Sequence, residues 1–131
     1  MPAVQPLTSS RDIRAVLAAR RSAHASAVVL HGRWDEERVA ANLPGRAAVI
    51  AGKRVGNAVA RNRGKRRLRA ALHELGLPTG LDVVAIARAT TPAVPYRALV
   101  SQVAAGLERV GRAAPRAARP ATAGDPVGSM P

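Results

Sequence analysis

The chain has no cysteine and no phenylalanine, and its 131 residues hold one tryptophan, Trp34, and one tyrosine, Tyr96. Without cysteine there can be no disulfide, thiolate zinc site or cysteine nucleophile. Without large aromatics the core has to be built from Val, Leu, Ile and Ala, although the apolar fraction is an ordinary 47%. Acid is scarce as well: 8 Asp and Glu stand against 21 Lys and Arg, a formal net charge of +13. That excess goes beyond what solubility requires and points to a polyanionic partner. No segment reaches the roughly 20 apolar residues of a membrane span, and no basic helix carries the aromatic anchors of an interfacial one. Nucleic acid, not membrane, is the expected partner. The opening MPAVQPLTSS lacks the layout of a secretory signal, which leaves a cytoplasmic protein as the expectation.

A chain of this length makes one domain. SSRDIRAVLAARR places Ser9 three residues before Asp12, a capping-box spacing, and puts Ile13, Val16 and Leu17 on one helical face. Arg20 and Arg21 fall at the far end of that helix, where they complement its dipole, while Arg11 and Arg14 lie off the apolar stripe, open to solvent or ligand. ASAVVLHGRW and RAAVIAGKRV read as strands separated by a polar loop, DEERVAANLPGR. LDVVAIAR, between two turn-rich segments, reads as a buried strand. From Pro95, a helical period runs through Tyr96, Leu99, Val103, Leu107 and Val110. Beyond Gly111 the chain offers nothing large to bury. The expected layout is a disordered stub over residues 1–6, one domain over 7–111 and a disordered Ala/Pro/Arg tail over 112–131.

KRVGNAVARNRGKRRLR carries eight cations, Lys53, Arg54, Arg61, Arg63, Lys65, Arg66, Arg67 and Arg69, and no acid. Read as a helix over Asn57–Leu75 at about 100° per residue, it gathers Leu68, Ala71, Leu72 and Leu75 on one face. The other half is basic around most of its circumference, so one half docks and the other projects charge outward. Guanidinium groups bridge phosphate oxygens and stack on bases, Asn62 can pair with a base edge or a sugar hydroxyl, and the helix start near Gly56 and Asn57 adds amide donors. Gly64 costs about 1 kcal/mol relative to Ala and would allow close backbone approach. A solvated basic face is the plain alternative. Against it stands the shortage of local carboxylates, Glu74 being the one nearby.

Catalytic groups do not assemble in the sequence. Asp35, Glu36 and Glu37 are the one acidic cluster, and their consecutive side chains diverge, which suits a solvated turn better than the converging carboxylates of a metal nuclease. His24, His31 and His73 show no ligand spacing and no paired nucleophile. No catalytic residue and no metal ligand is assigned.

The basic stretch also resembles the signature of the bacterial ribonuclease P protein component family. The matching residues are Lys53, Arg54, Gly56, Asn57, Ala58 and Val59, then the triplet Arg61, Asn62, Arg63, then Lys65, Arg66 and Arg69. The resemblance spans residues 7–110, taking in LTSSRDIRAVL, the strand ending in VVL, and DVVAIAR before YRALVSQVAAGL. It implies an α+β sandwich, ribosomal protein S5 domain 2-like. In that fold a mixed four-stranded sheet packs against helices in the order α-β-β-β-α-β-α, with a left-handed βαβ crossover. It implies an endoribonuclease that works as a ribonucleoprotein: a protein monomer bound to a catalytic RNA subunit and to precursor tRNA, removing the 5′ leader with Mg2+ held mainly by the RNA. Carried over by position, Lys53 and Arg54 on the adjoining strand, with Asn57, Arg61, Asn62, Arg63, Lys65, Arg66 and Arg69, face RNA. Ile13, Leu17, Val28 and Arg88 line a cleft for the single-stranded leader. Relatives commonly present Phe where Ile13, Leu17 and Val28 stand, so base stacking, worth about 1–3 kcal/mol per base, gives way here to shape and charge. Their periodicity fits core as well as cleft. A DNA-binding architectural protein and a ribosome-associated structural protein remain the alternatives.

Overall fold

The computed structural model describes residues 4–112 and 114–115. Residues 1–3, 113 and 116–131 lie outside it, and with them most of the tail expected to be disordered. The elements in order are β1 (Val4–Pro6), α1 (Ser10–Ala18), β2 (Ser22–His24), β3 (Val28–Trp34), α2 (Glu36–Ala40), β4 (Gly45–Ile50), a 3-10 turn (Lys53–Val55), α3 (Ala58–Leu75), β5 (Leu81–Ala87) and α4 (Tyr96–Val110). One mixed sheet runs β1-β4-β5-β3-β2; β1, β4 and β5 are mutually parallel, and β3 is antiparallel to both its neighbours.

The expected α+β sandwich is present with five strands instead of four. The added strand is β1, which pairs Val4–Pro6 with Gly45–Ala47, and the Leu7 N–H continues onto the Ala47 carbonyl at 2.9 Å. Half of the six-residue stub therefore belongs to the sheet. Its position at the edge tolerates Pro6, which has no N–H to offer a further strand. The Arg38 guanidinium steadies it from α2, donating to Gln5 Oε1 at 3.3 Å.

Local chemistry sets the helix ends. Ser9 Oγ accepts from the Asp12 N–H at 3.3 Å and starts α1 as its spacing predicts. The helix stops at Ala18, and Arg20 takes a φ of 57°, so Arg20 and Arg21 lie past the last turn rather than in it. The segment expected as a loop between β3 and β4 contains α2, begun by Asp35 Oδ1 accepting from the Arg38 N–H at 3.2 Å. Five residues are too few for a hydrophobic period to announce a helix.

The two faces of the sheet are covered unequally. One carries the main core: Val28 and Leu30 of β3 and Leu81, Val83 and Ala85 of β5 pack under Leu68 and Leu72 of α3 and Leu99, Val103 and Val110 of α4. Contact there is close, since a Cβ on Gly106 would lie 2.5 Å from Leu30 Cδ1. The other face is covered by α1 alone, with Val16 and Leu7 buried on Val84. A helix of 9 residues, about 13 Å long, leaves part of that face open.

At the start of β4 and β5 this face also holds a buried clasp. Arg46 donates from Nε to Asp82 Oδ1 at 2.9 Å and from Nη2 to Asp82 Oδ2 at 2.6 Å. Asp12 of α1 lies 3.2 Å from the same guanidinium and Asp35 lies 3.8 Å from it. Asp82 is fully buried. Its hydrogen bond, more than the charge of the three carboxylates, raises the Arg46 pKa further above its ordinary value. The clasp joins β4, β5, the first turn of α1 and the cap of α2.

Candidate nucleic-acid interface

Helix α3 divides into a docked half and a free half. Asn57 Oδ1 accepts from the Ala60 N–H at 2.9 Å and caps the start. Leu68, Ala71 and Leu72 are buried, and Leu75 is half-buried, which fixes the far end on the sheet. Toward the start, Asn62, Arg63, Arg66 and Arg69 are exposed, and Arg61 and Lys65 are half-exposed. Among the described residues the ion pairs are those of Arg46 and the pair Arg97–Glu74. Lys53, Arg54, Arg61, Arg63, Lys65, Arg66 and Arg69 therefore meet no carboxylate there.

Arg67 differs from its neighbours. Its Nη1 donates to the Thr91 carbonyl at 2.6 Å, its Nη2 donates to the Val94 carbonyl, and its guanidinium sits 6.0 Å from the Tyr96 ring. This cation latches α3 to the loop before α4. Glu74, the single acid of α3, accepts from Arg97 at 2.8 Å and from the Tyr96 hydroxyl at 3.3 Å. The Arg97 hydrogen bond is the main cause holding its carboxyl below the usual range. The acid is thus occupied at the end of the helix farthest from the free cations. Gly64 faces Ala87 Cβ at 3.7 Å and Thr91 Cγ2 at 3.7 Å from where a Cβ would stand. Those are ordinary contacts, so no close backbone approach requires glycine.

Lys53 and Arg54 are not on a strand. β4 ends at Ile50, and the two residues sit exposed in the 3-10 turn while Val55 is buried beneath it. Arg54 shares a depression with Arg88, Ser26 and Thr90. A residue assigned to RNA contact and one assigned to the leader cleft are thereby brought together at the end of β5.

The part of the sheet face that α1 leaves open is where the cleft expected from the sequence would fall. Strand register sets His24, Val29, Ile86 and Ile50 in one row across it, and Ser22, His31, Val84 and Ala48 in the next. Leu17, at 38% exposed, overlooks these rows from α1; Ile50 is equally exposed, and Ile13 is half-buried. Val28 is not part of it. It is 1% exposed in the core of the opposite face, and Val29, one residue on, takes the position expected of it. A shift of one residue along a strand reverses the face.

Sequence reasoning missed His24 and His31, whose ring centroids stand 6.5 Å apart, edge to face. Burial first, and then the charge of His24, push the His31 pKa below 6.5, and His31 Nδ1 is buried with no hydrogen-bond partner among the described residues. Trp34 and Tyr96 pack against the main core, so the cleft's rings are histidines. The signal was the two-residue step from Val29 to His31, usable once the facing of β3 is known. Asp12, Asp35 and Asp82 do gather, but they close on Arg46. Among the described residues no three His, Asp or Glu are placed together to hold a metal ion. Nor is any described helix long and apolar enough to cross a membrane.

The chain matches the family model described as Ribonuclease P over residues 1–111. It is 36% identical over 107 residues to the ribonuclease P protein component of Symbiobacterium thermophilum, covering 80% of this chain and 90% of that one. It is 42% identical over 69 residues to the same component of Paramagnetospirillum magneticum, where the match spans about half of each chain, 50% and 52%. The fold is like that of the Staphylococcus aureus RNase P protein, with a TM-score of 0.66 at 18% identity over 82% of this chain and 94% of that one. It is equally like the Thermotoga maritima RNase P protein solved with 1-(4-fluorophenyl)-2-thiourea, with a TM-score of 0.66 at 21% identity over 79% and 97%.

Proposed function

Because the chain belongs to the ribonuclease P protein family, we propose that it is the protein subunit of the ribonuclease P ribonucleoprotein and promotes removal of the 5′ leader from precursor tRNA. The observation that carries this reading is the set of seven cations on Lys53–Arg69 without carboxylate partners among the described residues, held on a helix whose other half is locked into the core. An RNA subunit and its RNA substrate repel each other. A strongly basic protein between them lowers that repulsion and releases counterions on binding. Holding the scissile phosphate near the catalytic RNA lowers the entropic part of the barrier without a protein side chain reacting.

In this reading Arg61, Asn62, Arg63, Lys65, Arg66 and Arg69, with Lys53 and Arg54 in the adjoining turn, bind the catalytic RNA. The leader strand lies across the open sheet face, over Leu17, Val29, Ile86 and Ile50, with Arg88 at one end to take a phosphate and His31 as its ring. Magnesium belongs mainly to the RNA subunit. The protein works as a monomer in the particle, in the cytoplasm. Reconstituted cleavage of precursor tRNA at low magnesium, with the matching RNA subunit, tests the reading: added protein should raise the rate. An unchanged rate, or equal affinity for random duplex DNA and structured RNA at matched salt, would overturn it.

A further inference from the structure

β1 widens the sheet past the flank of α3, and the overhang leaves a groove of about 290 Å3. Val4 and Pro6 of β1 and Ala47 and Val49 of β4 form its floor; Leu72, Arg69 and His73 of α3 form its wall. Ala47 and Val49 occupy core-facing positions on an inner strand, yet both stay half-exposed. The cause is overhead, where α3 presents the exposed side chains of Arg69 and His73 instead of apolar ones.

The groove continues a surface already described. Asn62, Arg66, Arg69 and His73 stand at i, i+4, i+7 and i+11, which makes them one stripe along α3. The groove opens at the far end of that stripe. On the opposite flank the polar groups are engaged, Arg67 with the carbonyls of Thr91 and Val94 and Glu74 with Arg97. Arg69 pairs with no carboxylate among the described residues. An aliphatic floor with a guanidinium and an imidazole at its lip suits one chemical object, a splayed-out nucleotide. Its base covers the apolar floor and stacks on the ring or the guanidinium plane, and its phosphate meets the cation.

We propose that this groove is a nucleotide subsite, separate from the α1 cleft, that takes one unpaired nucleotide of the RNA held along α3. The proposal rests on the reading of the chain as an RNA-binding subunit. The RNA subunit and precursor tRNA offer the same chemistry, so binding is measured to each alone. Two variants probe the site: Ala47→Leu, which fills the floor and leaves every charge in place, and His73→Ala, on the exposed lip. Thermal melts establish that both fold. Ultraviolet crosslinking of the wild-type protein, read by mass spectrometry, should place adducts at His73 or within residues 45–50. Each folded variant should lose those adducts and bind about tenfold more weakly to whichever RNA supplies the nucleotide. Unchanged affinity for both RNAs in either folded variant, with wild-type binding intact, would overturn the subsite alone. Failure of the wild-type protein to bind either RNA would overturn the functional reading together with it.

Discussion

Arg66 and Arg67 are adjacent, carry the same charge and lie on different sides of α3, so alanine substitution at each separates contact with RNA from support of the fold. Arg66 is exposed and meets no carboxylate among the described residues, whereas Arg67 donates to two backbone carbonyls. If the seven unpaired cations of Lys53–Arg69 all reach phosphate, at about 0.7 to 0.9 each, log affinity should fall against log salt with a slope of about −5 to −6. Arg66→Ala should make that slope shallower by about 0.7 to 0.9. Between about 50 and 200 mM salt, the wild-type advantage over this variant should then shrink about threefold. Arg67→Ala should leave the slope as it is and weaken the fold. Two charge-assisted hydrogen bonds from a partly exposed side chain contribute about 2 kcal/mol. For a domain of this size that lowers Tm by roughly 8 °C. Fluorescence anisotropy titrations of the RNA subunit at several salt concentrations, with calorimetric melts of the free proteins, read both quantities. A flatter slope for Arg67→Ala, or an unchanged one for Arg66→Ala, would refute the division of labour.

Asp82→Ala strands Arg46 in the clasp and should cost about 3 kcal/mol, the low end for a broken buried pair because Asp12 and Asp35 remain beside it; a Tm within a degree of wild type would contradict the buried geometry. Gly64→Ala should raise Tm by a few degrees, since the helix gains about 1 kcal/mol and the new methyl finds ordinary contacts; a lower Tm would mean the loop at Thr91 cannot admit it. Leu17→Phe should tighten binding of precursor tRNA about tenfold and leave mature tRNA unaffected, as compared in filter-binding assays; equal effects on both would remove Leu17 from the leader path. His31 has a depressed pKa when folded, so the unfolded chain binds its proton first as pH falls. Its share of stability is present above pH 6.5 and is lost as pH drops through the lowered value, and His31→Gln should flatten that part of the denaturation-against-pH curve.

Helix α3 was legible because its signals are local: the spacing of Leu68, Ala71 and Leu72 holds, and the helix begins within a residue of the expected start, with Asn57 capping it. Helix α4 was legible for the same reason, and Leu99, Val103 and Val110 are buried as their period predicts. The facing of β3 was not. Val28, Val29 and Leu30 are all apolar and all buried, so no alternation marks which side each residue takes. Val28 comes to the cleft by carry-over from the family resemblance, and with no alternation to check it, nothing in the sequence moves the assignment to Val29 or marks His31. β1 and α2 are too short to carry a period, and they exist through long-range bonds to β4 and a single capping carboxylate. The Arg46 clasp joins residues far apart in sequence, and no spacing rule reaches it. Within the basic stretch the ordered signature left Arg67 out of the RNA-facing set, and the structure gives that omission a physical reason.

The clasp also bears on how this molecule meets its partner. Asp12, Asp35 and Asp82 collect where β4 begins, around Arg46, and the unpaired cations start just beyond where β4 ends, at Lys53. The 6 residues of that strand set the two poles about 20 Å apart. A body with three carboxylates gathered around one arginine at one end of β4, and seven cations that meet no carboxylate among the described residues beyond the other, turns in the field of a polyanion before it touches. It should arrive with the start of α3 leading, and added salt, by erasing that torque, should slow its capture as well as loosen its hold.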